Sequence, residues 1–175
     1  MIDLYCERVG PGLWAEPLNA LTNLAFLVAA WISWSMVRDS PSRSGDVTVL
    51  IALMVAIGIG SGLFHTLATT WARVLDVVPI LLFQMSFIWL YARRIIVTSW
   101  PWSTLLTGSF LVVTLLGRQF PSIMNGVLAY MPALLVLISL GTYHSWTQKR
   151  GPKLLLLASG IFLLALTRSE EHTSE

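Results

Sequence analysis

The sequence predicts an all-α fold: a polytopic bundle of transmembrane helices with its N-terminus outside. Three observations predict it. The 175 residues are 55% hydrophobic and only 11% charged, where an ordinary soluble domain has roughly 25% charged residues. The mean hydropathy is +0.73. The apolar runs are long and continuous, without the period-two alternation that a membrane β-barrel requires. Backbone groups in hydrocarbon must be satisfied within their own segment, so the helix is the remaining spanning element. The same composition excludes a disordered chain and a soluble globule. A net charge of +2 gives no basis for a nucleic-acid partner. The single cysteine, Cys6, excludes an internal disulfide framework.

A spanning helix takes about 20 mostly apolar residues, and six segments meet or approach that length. The first, 17–37, has no charge between Pro17 and Val37. No basic stretch precedes it, and Asp3, Glu7 and Glu16 upstream are acidic, so it does not read as a cleavable signal peptide. The second, 47–66, carries only His65. The third, 73–92, opens at Arg73 and holds Asp76 near its start, with Pro79 expected to kink it one turn further in. The fourth, 102–117, is short. The fifth, 122–143, follows Pro121, and the sixth, 152–167, runs from Pro152 to Thr167. No internal repeat or second domain is visible. Residues 1–167 read as one transmembrane domain and 168–175 as a separate polar tail.

Loop charge sets the direction of insertion. With the N-terminus outside, the inner loops hold Arg38, Arg43, Arg93, Arg94, Lys149, Arg150 and Lys153, and the outer segments hold Arg8, Arg73, Arg118 and Arg168. Seven against four favours that orientation. It also gathers Glu16, Asn19, Asn23, His65 and Asp76 at one face of the membrane.

Ionisable groups inside a span are costly and mark functional sites. His65 closes the run Gly58-Ile59-Gly60-Ser61-Gly62-Leu63-Phe64-His65. Ser61 and His65 are four residues apart and share a helix face, while the glycines let neighbouring helices approach closely. Neutral imidazole is the commonest metal ligand; an interfacial histidine bonded to a carbonyl is the plainer alternative. Asp76 fits three roles: a general acid or base, a carboxylate partner of His65, or a charge at a helix start. Asp3, Glu7 and Glu16 form an acidic group that fits either a calcium site or a solvated leader. Asn19 and Asn23 are expected to hydrogen-bond across helices. His144 and the tryptophans at span ends (Trp14, Trp71, Trp100, Trp102, Trp146) fit an interfacial belt.

Tyr5-Cys6-Glu7, followed by Ala15-Glu16-Pro17-Leu18-Asn19-Ala20-Leu21-Thr22-Asn23, resembles the N-terminal signature of the alkaline ceramidase family. The glycine-rich run ending at His65, with Asp76-Val77-Val78-Pro79 after it, resembles that family's second block. The resemblance implies a seven-helix membrane amidase that hydrolyses the N-acyl bond of ceramide-like lipids, in bacteria placed in the inner membrane. It implies a catalytic zinc with His65 as one of three histidine ligands, and Ser61 and Asp76 beside the metal. It implies a structural calcium held by the acidic segment, with Glu7 and Glu16 the best-matched ligands and Asp3 less closely matched. Lipids are the only partners it implies. The alternative is a non-enzymatic receptor-like protein of the related seven-helix superfamily, with a structural zinc.

The family's His-x-x-x-His pair and seventh span have no counterpart here. Residues Arg168 to Glu175 read as a translated sequencing adapter, so the expectation is six spans of seven, with His172 no ligand. A chain with one histidine ligand is expected to be an inactive fragment of the complete enzyme.

Overall fold

The structure, a computed structural model, describes residues 16–40, 44–120, 128–148, 151 and 153–171, with side chains as far as residue 164. Among these residues every regular element is helical. In chain order they are α1 (Pro17–Thr22), α2 (Leu24–Val37), α3 (Gly45–Leu67), α4 (Thr70–Tyr91), α5 (Trp100–Gly117), α6 (Met131–Thr147) and α7 (Leu154–Glu171). A π-helical turn, Ala92–Ile96, continues α4 and ends at Val97, whose φ is 62°.

Four helical stretches among the described residues are long and apolar enough to cross a bilayer: Pro17–Val37, Gly45–Leu67, Thr70–Ile96 and Trp100–Gly117. They correspond to the first four expected spans. Asn23 interrupts the first, dividing it into α1 and α2. The fifth and sixth differ from expectation in their bounds. Helix α6 begins at Met131 rather than at 122, with Pro132 in its first turn, where the missing N–H has no helical partner to lose; residues 121–127 lie outside the described set. Helix α7 runs past Thr167 to Glu171. Large apolar side chains stand exposed along the helices, among them Trp31, Ile59, Val74, Leu105, Leu135 and Leu164. Helices apolar on all sides suit hydrocarbon, not water.

The chain forms two compact units, Met1–Ser103 and Thr104–Glu175. In the second, α6 and α7 pack where Gly141 admits the α7 backbone; a Cβ there would lie 3.1 Å from the Leu156 nitrogen. Ser159 spends its hydroxyl within α7, donating to the Leu155 carbonyl at 2.8 Å.

The first unit is built on an antiparallel pair, α3 and α4. Their connection is only Ala68 and Thr69. Ala68 turns the chain in a left-handed conformation, φ 48°, with its N–H bonded to the Phe64 carbonyl at 2.8 Å. A left-handed alanine costs about 1–2 kcal/mol, and complete burial of Ala68 holds it there. At the opposite end Arg94 pairs with Asp46 and donates to Ser44 Oγ at 3.1 Å. The hairpin is thus tied at both ends, which sets the axial register of α3 on α4.

Pro79 does not end α4, which continues through it as one helix. Proline has no N–H, so the carbonyl four residues back, on Leu75, loses its helical partner. That carbonyl is the one that meets α3: a Cβ built on Gly60 would lie 2.0 Å from Leu75 O. Only glycine admits this approach, turning a Cα–H toward the freed oxygen. Gly58 gives α2 a closer seat, less strictly: a Cβ there would lie 2.7 Å from Leu27 Cδ2, a side-chain end that can move, and 3.3 Å from the Asn23 carbonyl.

Candidate functional site

Four buried polar side chains converge in the first unit. Ser61 and His65 lie one turn apart at the end of α3, and they are 6% and 7% exposed. Asp76, on α4, is 7% exposed. Glu16, at the start of α1, is 2% exposed. The close approach of Gly60 to Leu75 places Ser61 and Asp76, the next residue on each helix, against one another.

His65 Nδ1 lies 2.5 Å from Glu16 Oε2. A carboxylate only accepts, so the nitrogen donates. The same Oε2 accepts from Asn19 Nδ2 at 3.4 Å. The sequence leads one to expect Asn23 to bond across helices; among the described residues its Nδ2 instead donates back to the Asn19 carbonyl at 2.8 Å. The Phe64 ring flanks the imidazole at a centroid distance of 5.6 Å, tilted by 58°.

The Ser61 side chain hydrogen-bonds the Asp76 carboxyl, and His65 and Arg73 act on it electrostatically. Asp76 Oδ1 is buried with no protein donor among the described residues. An unsatisfied buried acceptor costs about 1–3 kcal/mol, and such an atom beside a hydroxyl and an imidazole is suited to take a proton or a ligand.

The profile of the family described as Ceramidase matches residues 5–168. The chain belongs to the ceramidase family. No curated protein and no solved structure matches it. Ceramidases hydrolyse amide bonds, and four long apolar helices make this family member a membrane protein.

The ceramidase resemblance implies zinc, and the donor set tests the fit. A catalytic zinc takes three protein ligands. Among the described residues no three His, Cys, Asp or Glu side chains converge as a metal site. His65 is one imidazole, and its Nδ1 is committed to Glu16. The described residues therefore do not complete a zinc site. Of the expected calcium ligands, Asp3 and Glu7 lie outside the described residues, and Glu16 has one oxygen on His65.

Helix spacing puts Ser61 and His65 on one face, and the ceramidase resemblance implies Asp76 near them. Sequence reasoning missed the pairing of Glu16 with His65, which are 49 residues apart. The one available signal was chemical: a charged residue entering an apolar helix, with a single histidine buried at the same membrane face.

Proposed function

We propose that this ceramidase-family protein is an amidase of ceramide-like lipids, with the scissile amide bound beside Ser61 and Asp76. The observation that carries this is the Asp76 carboxyl, bonded to Ser61 on one side and holding an unpartnered buried oxygen on the other. Asp76 takes a proton from the attacking water and delivers it to the nitrogen of the leaving sphingoid amine. Ser61 donates its hydroxyl to the oxyanion that forms on the acyl carbon. The apolar surroundings lower the dielectric around both groups and strengthen each interaction. Exposed apolar faces on the helices receive the two hydrocarbon tails.

The test is release of free fatty acid from a short-chain N-acyl sphingoid lipid in detergent by the complete enzyme. Asp76→Asn is expected to lower that rate by at least about a hundredfold, the low end of a general acid–base contribution, while the protein stays folded. Undiminished turnover would reduce Asp76 to a structural partner of Ser61 within the α3–α4 contact. Zinc dependence belongs to the same proposal; the residues that would complete a three-ligand site are not among those described, and no step above runs through the metal. Calcium is proposed for the segment Asp3, Glu7 and Glu16 and is tested by calorimetric titration.

We further propose six spans with the N-terminus outside, in a bacterial inner membrane. Arg93 and Arg94 lie at the opposite end of the α3–α4 hairpin from His65, in keeping with an inward-facing basic end. Asp39, whose side chain is 85% exposed, reports the first inner loop. In a Cys6→Ser background, Asp39→Cys is expected to react with a membrane-impermeant maleimide only after the cells are opened. Labelling of intact cells overturns the topology.

A further inference from the structure

We propose that Glu16 is the positioning residue of His65: its carboxylate holds the imidazole as the Nδ1–H tautomer and sets which ring edge faces Ser61 and Asp76. The inference rests on the hydrolytic role proposed for that site and assigns within it a residue whose sequence motif points elsewhere.

The geometry is specific. Nδ1 and Oε2 are 2.5 Å apart, within hydrogen-bond reach. The two side chains are 9% and 2% exposed, so water does not compete. A carboxylate has no hydrogen to give, so Nδ1 carries the proton. In a neutral ring Nε2 then holds the lone pair, and the tautomer of a functional histidine is set by the bond its other nitrogen makes.

The carrier of the carboxylate is stiff for a local reason. Glu16 precedes Pro17, whose ring bars the α-helical conformation from the residue before it. Glu16 accordingly sits at φ −134° and ψ 66°, outside the helix that starts at Pro17. Its carbonyl caps that helix by accepting from the Ala20 N–H at 2.9 Å. Asn19 adds a second donor to the same Oε2 at 3.4 Å, so the carboxylate is held from its own helix as well. A flexible acidic leader could not fix a ring; an anchored Glu-Pro step can.

Nitrogen-15 NMR of the full chain in nanodiscs, with ring-labelled histidine, tests this. His144→Gln and His172→Gln assign the other two signals. Wild-type protein is expected to show His65 protonated at Nδ1 alone. Glu16→Gln, whose amide oxygen still accepts, is expected to keep that tautomer. Glu16→Ala is expected to give a mixture of tautomers and to lower kcat roughly 10–100-fold with KM unchanged, the range for loss of a carboxylate that orients a functional histidine. An Nε2–H tautomer in wild type, or a ring protonated on both nitrogens, overturns the assignment. So does Glu16→Ala with unchanged tautomer and kcat. If Glu16→Ala does not fold, the wild-type and Glu16→Gln spectra decide. If the complete enzyme cleaves no N-acyl sphingoid lipid, the proposed activity fails, and the spectra still decide the role of Glu16.

Discussion

Gly60→Ala is expected to remove nearly all hydrolytic activity although it adds one methyl group. That methyl would stand 2.0 Å from the Leu75 carbonyl oxygen, 2.6 Å from the Leu75 carbonyl carbon and 3.2 Å from the Asp76 nitrogen. All three are backbone atoms, so no side chain can rotate away, and the two helices must separate. Ser61 and Asp76 flank the contact, and the separation falls directly on their hydrogen bond. A displacement of about 1 Å at a reacting group costs about a hundredfold in rate. Overpacking adds roughly 1–3 kcal/mol of destabilisation. Gly62→Ala is the control: among the described residues nothing lies within 4 Å of its Cβ position, and alanine favours the helix over glycine by about 1 kcal/mol. Fatty-acid release and thermal unfolding of the two variants side by side make the comparison. Equal behaviour would show that the α3–α4 contact tolerates a side chain and that the site does not depend on it.

The second large effect concerns His65→Ala. This change removes the imidazole from the site and takes the Nδ1 donor from the Glu16 carboxylate, which is 2% exposed. Removing the donor of a buried hydrogen bond costs about 1–3 kcal/mol, more when the group left behind is charged. Hydrolysis is expected to fall to background and the unfolding midpoint to drop sharply. The double variant Glu16→Ala/His65→Ala separates the two effects. It is expected to recover part of the stability, since both members of the pair are gone, and none of the activity. If the double variant is as unstable as the sum of the single ones, the pair is not coupled and the contact contributes no net stability. Activity retained by His65→Ala would return that residue to the interfacial role that its position also allows.

Much of this molecule is legible from composition and order. Long uncharged runs specify helices because hydrocarbon leaves the backbone no other donors or acceptors. That physics does not depend on which helix packs on which, and the first four spans follow it closely. The later ones follow it less well. Pro121 suggested a start for the fifth span, whereas α6 begins at Met131 beside Pro132. Either proline suits a first turn, so the local rule alone does not choose between them. Ser61, His65 and Asp76 were legible as candidates for a different reason. Each is a polar group that an apolar span has no local use for, and two of them lie four residues apart on one helix face.

Pairings between distant segments were not legible. Glu16 carries a charge that calcium, solvent or a helix start would each accept, and nothing within fourteen residues of it distinguishes among them. The choice of His65 depends on how the start of α1 lies against the end of α3, a placement no single helix specifies. Likewise the run of glycines announces close packing without saying which glycine meets which atom. Pro79 frees the Leu75 carbonyl by removing an N–H, a consequence readable along one helix. That the freed oxygen lies over Gly60, and so brings Ser61 to Asp76, is a matter of register between two helices. Register is set by the tight turn at Ala68 and the Arg94–Asp46 pair at the far end. Hydropathy acts residue by residue and needs no partner, so the sequence alone determines that these helices form and where they belong. Contacts need two surfaces at once, so the tertiary structure alone decides which of the buried polar groups become a site.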